Sequence, residues 1–293
     1  MGMGNPLLDI SANVPQSFLD KYDLKVDAAI LAEEKHMPLY QEIIDTFDVQ
    51  YIAGGATQNS CRVAQWMLQA ADKPNQVAFL GCVGQDDPYC QQLQDCTKAD
   101  GVLAHYMKDA TAPTGTCAAL ILGGERGLVA NLAAANNFQP SHLADPKSQE
   151  IIESAQIYYC AGFFLTVSVE SLVQVAEGAV GSDKIFCLNL SAPFIVEFFK
   201  DQLATAMPYA DFLFGNESEA AAYAQHNGMA DKVDDIAAIA LAVAALPKKN
   251  ASRPRTVVFT QGRASSRRAV KARWWPATAK SRSIPWSCCR RIS

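Results

Sequence analysis

Short apolar, β-branched or aromatic runs recur along the chain at Val77–Val83, Ile157–Cys160, Ile185–Leu190, Asp211–Phe214 and Thr256–Thr260. They lack strict polar alternation, which predicts strands covered on both faces. Between them, apolar positions at helical spacing or Ala-rich composition predict helices over Thr57–Ala71, Gln149–Ala155, Val169–Ala179, Glu217–Gln225 and Val233–Leu246. Asp231 is the expected cap of the last helix and Pro247 its stop. Strand and helix in alternation predict a parallel sheet carrying helices on both faces. Such sheets bind ligands beyond the carboxyl ends of their strands, where strand-to-helix loops gather.

Two segments break the alternation. Thr114–Leu122, then Gly123-Gly124-Glu125-Arg126-Gly127, then Leu128–Leu132 reads as a hairpin around a glycine-rich turn. Leu7–Ala12 and Ala28–Leu31 are extended pieces early in the chain. These are expected to form a small second sheet, a lid on the main one. No internal repeat or low-complexity linker is present.

Composition narrows the class. The chain has 293 residues, of which 49% are hydrophobic and 19% charged, enough to bury a sizeable core. No apolar run approaches the roughly 18 residues that span a bilayer, and the N-terminus lacks a signal-peptide layout, so an intracellular protein is expected. Nine cysteines are scattered with no CxxC pair and no histidine cluster at zinc-ligand spacing, which predicts reduced thiols packed as small hydrophobes. The net charge of −5 hides an asymmetry: Arg263–Ser293 holds nine Lys or Arg and no acid. Taking those nine from the total of 25 leaves 16 basic against 30 acidic residues in the first 262. That stretch also has three of the four tryptophans and no strand or helix period. A shifted reading frame is the simplest cause. A basic, Trp-bearing tail could instead touch nucleic acid, but no module presents those residues, so no specific nucleic-acid partner is expected.

Three local features carry candidate chemistry. Ala53-Gly54-Gly55-Ala56-Thr57-Gln58-Asn59-Ser60 runs directly into a helix. The glycine pair lets the backbone turn tightly and approach a ligand, the helix start offers unpaired N–H donors, and Asn59 adds an amide. A glycine loop with an Asn or Ser cap explains it equally well. Asp9, two residues beyond an apolar pair at strand spacing, could project a carboxylate that accepts both hydroxyls of a ribose, or be a solvated strand end. In Phe214-Gly215-Asn216-Glu217-Ser218-Glu219 a strand ends and a helix starts. Asn216 and Glu219, three apart, suit phosphate and magnesium waters, and equally suit a capping box.

Together these stretches resemble the ribokinase-like family of sugar and nucleoside kinases, and more closely its adenosine kinase branch. The words that carry the resemblance are GNPLLDIS at 4–11, AGGATQNS at 53–60, PTGTCAA at 113–119, ANLAAAN at 130–136, AGFFLTVS at 161–168, LNLSAPF at 188–194, FGNESEA at 214–220 and FTQG at 259–262. The resemblance implies an α/β, ribokinase-like three-layer sandwich with a mostly parallel central sheet and a small β lid. The implied large domain takes residues 1–8, 29–106 and 134–262, and the lid takes 9–28 and 107–133. The basic tail 263–293 is expected to be disordered.

The resemblance also implies site residues. Asp9 matches the carboxylate that holds the ribose hydroxyls, with Asn5, Gly54, Gly55 and Asn59 completing the sugar site. Leu31, Cys117, Leu128, Ala130, Leu132 and Phe163 match the wall around the base. Arg126 matches a lid arginine facing the transferring phosphate. Asn216 and Glu219 match the phosphate and magnesium motif, with Glu219 reaching the metal through water, and Thr260 with Gly262 match the edge of the ATP site. The implied chemistry is transfer of the ATP γ-phosphoryl group to the adenosine 5′-hydroxyl, giving AMP in purine salvage, with Mg2+ as cofactor. A monomer is expected, in the cytoplasm and also the nucleus, with no membrane partner. The family's anion hole and catalytic aspartate come from one motif, Asp-Thr-Asn-Gly-Ala-Gly-Asp. This sequence has no Gly-x-Gly-Asp anywhere, so no catalytic residue is assigned and a nucleoside-binding chain without turnover is the rival reading.

Overall fold

A computed structural model describes residues 1–26, 28–251, 253–261 and 268–273. Its compact units are Met1–Ala155 and Gln156–Ser293. The first unit runs β1 (Gly2–Met3), β2 (Leu7–Asn13), α1 (Gln16–Lys21), β3 (Ala29–Leu31), α2 (Met37–Thr46), β4 (Gln50–Gly54), α3 (Ala56–Gln69) and β5 (Val77–Gly84). It continues with α4 (Pro88–Ala99), β6 (Val102–Asp109), β7 (Thr116–Leu122), β8 (Glu125–Asn131) and α5 (Pro146–Ser154). β1, β5 and β6 are parallel neighbours. The other five strands make a separate sheet in the order β3-β8-β7-β2-β4.

The small sheet follows from its sequence. β7 and β8 pair antiparallel from Thr116↔Asn131 to Leu122↔Glu125, leaving only Gly123 and Gly124 to connect them. Both glycines have positive φ, +61° and +88°, the pattern of a type I′ hairpin turn whose twist matches the strands. One face of this sheet buries Ile10, Ala12, Ala118, Leu120 and Val129 against Phe18, Leu19, Leu39, Tyr40 and Ile43 of α1 and α2. A second core joins Leu8 and Ala53 to Cys61 of α3, Phe79 and Val83 of β5, and Leu93 of α4. At roughly 1.5–3 kcal/mol per fully buried large apolar side chain, this packing fixes β2 and β4 from both sides.

The second unit runs β9 (Ile157–Ala161), α6 (Val169–Glu177), β10 (Ile185–Asn189), α7 (Pro193–Phe198), α8 (Lys200–Ala206) and β11 (Phe212–Asn216). After these come α9 (Glu217–His226), α10 (Ile236–Ala244), β12 (Thr256–Gln261) and β13 (Arg268–Arg273). β9, β10, β11 and β12 are parallel in that order. Phe186, Leu188, Leu213, Val257 and Phe259 are buried, as strands covered on both faces require.

Three differences from the sequence reading have physical causes. The last helix starts later than Val233, because Asp235 and not Asp231 caps it, accepting from the Ala238 N–H at 2.9 Å. The helix α4 and strand β6 went unread: α4 is largely polar, and its start is marked by Asp87, which accepts from the Cys90 N–H at 2.9 Å. In the basic stretch, read as lacking any strand period, Arg268–Arg273 pairs antiparallel with β12 from Gln261↔Arg268 to Thr256↔Arg273. Backbone pairing needs no apolar alternation.

Candidate functional site

The residues expected to form the sugar site, Asn5, Asp9, Gly54, Gly55 and Asn59, lie where β2, β4 and α3 meet. β2 lies between β4 and β7, so Asp9 stands opposite Ile52 on one side and Cys117 on the other. The next turn of chain is built for close approach. A Cβ on Gly54 would fall 2.0 Å from Asp9 Oδ1, and one on Gly55 would fall 2.2 Å from the Asn5 carbonyl oxygen. Gly55 also has φ +91°, a conformation that L side chains rarely adopt, and it opens α3 with no side chain capping the first turn.

Electrostatics single out Asp9. Burial pushes its carboxyl up to about 6, while Arg126 and then Arg62 draw it down. Asn5 is 8% exposed, and neither Oδ1 nor Nδ2 has a hydrogen-bond partner among the described residues. A buried amide left unsatisfied costs about 1–3 kcal/mol, so a position that tolerates one calls for an external partner. Asn59 is half-buried; its N–H donates to the Gly55 carbonyl at 2.8 Å and its Oδ1 accepts from Arg62 Nη1 at 3.0 Å.

Four of the six residues expected to wall the base, Cys117, Leu128, Ala130 and Leu132, share one cluster. Leu7, Cys117 and Ala135 are buried together, with Leu128, Ala130 and Leu132 packed against them. Leu31 stands opposite Ala130 in the β3–β8 pairing and is 53% exposed. Burial first, and then the Asp9 carboxylate, push the Cys117 thiol up to about 12, which keeps it neutral near pH 7. Arg126 is exposed on β8 and lines an open cleft with Ala28, Ala29, Gly124, Glu125 and Leu128.

The remaining candidates lie in the second unit. The Phe163 ring is 6.0 Å from that of Phe194. Asn216 and Glu219 close a capping box: Asn216 Oδ1 accepts from the Glu219 N–H at 2.9 Å, and Glu219 Oε2 accepts from the Asn216 N–H at 3.0 Å. Thr260 pairs with Asn216 across β11 and β12 and its hydroxyl reaches the Gly215 carbonyl at 3.5 Å. Gly262 lies outside the described residues. Glu219 is 4% exposed, and no group of three His, Cys, Asp or Glu among the described residues could hold a metal ion. Glu219 Oε2 is taken by the cap, and such a carboxylate suits magnesium through its waters rather than as part of an all-protein cage.

Two residues were missed by sequence reasoning. Arg62 donates to Asp100 Oδ2, to the Ala53 carbonyl and to Asn59 Oδ1, and its spacing of three from Asn59 on one helix was the available signal. Gln58, fully buried, donates to the Gly54 carbonyl at 2.8 Å and accepts from the Tyr106 hydroxyl at 2.5 Å, bracing the glycine turn from behind. Tyr106 is 48 residues away, and no local pattern links them.

Residues 16–278 match the pfkB family of carbohydrate kinases. The chain is 51% identical over 262 residues to Adenosine kinase 1 of Arabidopsis thaliana, covering 89% of this chain and 74% of that protein. The chain belongs to the adenosine kinase branch of this family. The adenosine kinase of Dictyostelium discoideum is 48% identical over 259 residues, covering 88% of this chain and 74% of its own. The crystal structure of Anopheles gambiae adenosine kinase in complex with P1,P4-di(adenosine-5) tetraphosphate has a TM-score of 0.84 at 48% identity, over 92% of this chain and 77% of that one. The fold is accordingly the ribokinase-like α/β fold of the adenosine kinases, with parallel strands in each unit and a small five-stranded sheet in the first. The family match runs past Gly262 to residue 278, across β13. An ATP-using kinase is the class this membership implies, and no helix of the described residues is long and apolar enough to cross a membrane.

Proposed function

We propose that this chain binds adenosine in its first unit as part of an ATP:adenosine 5′-phosphotransferase that forms AMP. The observation that carries the reading is the pairing of Asp9, a carboxylate raised by burial, with an Asn5 amide that has no partner on either atom among the described residues. A cis-diol offers what both lack: two hydroxyls that donate to the carboxylate, and oxygens that accept from the amide. The cluster of Cys117, Leu128, Ala130 and Leu132 supplies an apolar wall for a base, and the five-stranded sheet is the lid. Phe163, Arg126, Asn216, Thr260 and Gly262 serve the base and phosphate ends. Magnesium, held by Glu219 through water, belongs to the same proposal, and no transfer step is derived through it. Purine salvage by a cytoplasmic monomer is the setting.

Calorimetry with adenosine and 2′-deoxyadenosine tests the reading. Adenosine should bind at least tenfold more tightly, since a missing hydroxyl leaves the buried carboxylate short of a donor. Equal affinities would remove the sugar-site assignment.

A second reading has its own observation. The sequence contains no Gly-x-Gly-Asp, and with it lacks the family's base and anion hole. On that reading residues 1–293 capture adenosine without phosphorylating it.

A further inference from the structure

We propose that Arg62 is a positioning residue of the nucleoside site, its guanidinium spanning the Ala53 carbonyl and Asn59 Oδ1 so as to fix the glycine turn and the polarity of the Asn59 amide while adding positive charge against Asp9. The proposal rests on the nucleoside reading above.

The geometry comes first. Arg62 has donors only, so the Asn59 atom that meets Nη1 at 3.0 Å must be the oxygen. The amide nitrogen is thereby the group left over, and it has no partner among the described residues. Asn59 is therefore a hydrogen-bond donor to whatever occupies the site, and Arg62 sets that choice. The second bond of Nη1 goes to the carbonyl of Ala53, the residue before Gly54. The turn that gives the Asp9 carboxylate its room is thus tied to α3 by a side chain as well as by the backbone. The third bond, from Nε to Asp100, holds the fork in place. Asp100 is the C-cap of α4, the negative end of the helix, where a carboxylate is disfavoured unless a cation meets it. Arg62 and Asp100 are 24% and 35% exposed, so the pair is partly shielded from water.

Charge adds a readout that packing alone would not move. Among the described residues, the charged and titratable groups that act on Asp9 are Arg126 from β8, Arg62 from α3 and Cys117 from β7, while β4 sets the apolar Ile52 opposite it. Both arginines draw the Asp9 carboxyl down against burial. Removing Arg62 removes one of these two, so Asp9 ionises at higher pH. An ionised Asp9 accepts both sugar hydroxyls, so adenosine affinity rises with pH through an acid limb and then levels. The position of that limb reports the charge facing Asp9, and the plateau reports how well the donors are placed.

Adenosine affinity is measured by calorimetry between pH 5 and 8.5 on the full chain and on Arg62→Ala, Arg62→Lys and Asp9→Asn, with melting curves for each. Arg62→Ala should weaken the plateau roughly tenfold and move the limb to higher pH. Arg62→Lys keeps the charge and loses the fork, so it should restore the limb and leave the plateau weakened. Asp9→Asn should flatten the pH dependence and weaken binding throughout. Arg62→Ala with the wild-type limb, or with wild-type affinity, overturns the role of Arg62. Should Arg62→Ala unfold, Arg62→Lys decides: a weakened plateau on an unmoved limb supports the role, and full affinity overturns it. If Asp9→Asn binds as tightly as the wild type, the nucleoside reading itself fails, an outcome distinct from a failure of Arg62.

Discussion

The carboxylate of Asp9 fills the space above residue 54: a Cβ built on Gly54 falls 2.0 Å from Oδ1, 2.3 Å from Cγ and 2.6 Å from Oδ2. Every heavy atom of that carboxylate is closer than real Cβ atoms come, so no small adjustment admits a methyl group. Gly54→Ala must displace the Asp9 side chain or spread β2 from β4. We expect it to weaken adenosine binding at least tenfold and to cost about 1–3 kcal/mol of stability, the usual penalty of overpacking. Adding Gly54→Ala to Asp9→Ala should cost little further affinity, because both act through one carboxylate. Calorimetry on the four proteins of that cycle checks it, and additive losses would show that Gly54 serves the site by another route.

Asp9 should also reduce the stability of the empty protein. Its folded value of about 6 lies above the 3.8 of an ordinary Asp carboxyl because burial disfavours the charge. A carboxyl raised on folding gives stability that is present below the unfolded value and lost as pH rises through the folded one. Asp9→Asn, a neutral isostere, should therefore melt higher than the wild type at pH 7–8, by about 1–3 kcal/mol, and equally at pH 3.5. Thermal melts across that range measure the difference. A variant less stable at pH 7 would show that the ionised carboxylate is satisfied without ligand.

Much of this arrangement was legible in the sequence because it is local. Gly54-Gly55 followed by a helix, the two glycines of the β7–β8 turn, and Asn216 with Glu219 at spacing three are each read within a few residues. What the sequence hides is what crosses the chain. Asp9 is raised by burial that β7 and β4 create, the Tyr106 hydroxyl meets Gln58 from 48 residues away, and Arg62 meets Asp100 from 38 away. The unsatisfied Asn5 amide is equally invisible, since its meaning lies in the absence of a neighbour.

Glu219 has two separable roles, because its side chain caps α9 whether or not it touches magnesium water. Glutamine at the third helical position closes a capping box as glutamate does. Glu219→Gln should therefore keep stability within about 0.5 kcal/mol, whereas Glu219→Ala should cost about 1 kcal/mol. If Glu219→Gln also leaves the magnesium dependence of ATP binding unchanged, the carboxylate does no more than cap.

Cys117 should label slowly with a thiol reagent at pH 8, because it is 4% exposed and its thiol is pushed up to about 12. Cys96, half-buried on α4 and outside the nucleoside wall, is the reference and should react faster. Saturating adenosine should slow Cys117 further and leave Cys96 unchanged. Peptide mass spectrometry reads both sites, and equal protection of the two would show that adenosine merely tightens the fold.

Residues 1–293 as a polypeptide should yield little or no AMP from adenosine, ATP and magnesium while still binding adenosine. In-line transfer needs a base at the attacking hydroxyl and preorganised donors facing the γ-phosphate, and in this family one Gly-x-Gly-Asp segment supplies both. The chain has no such segment. A general base contributes about 10²–10⁴ in rate and a single anion-hole donor about 10²–10³. Groups that act as a unit do not lose rate additively, so the two figures are not multiplied, and a fall of about a thousandfold is a fair floor. Among the named residues that remain, Arg126 can neutralise phosphate and Glu219 caps α9 at the phosphate end, so neither is assigned to the attacking hydroxyl. Asp9 ionises near neutral pH, yet on this reading it is saturated by the sugar hydroxyls and cannot also take a proton from the 5′-oxygen. Purified protein should show calorimetric adenosine binding with AMP at background, and fusing the missing motif after β13 with its following helix should raise turnover. Robust AMP formation by residues 1–293 alone would mean that another carboxylate of this chain serves as base, with Asp9 the first to test by the Asp9→Asn variant.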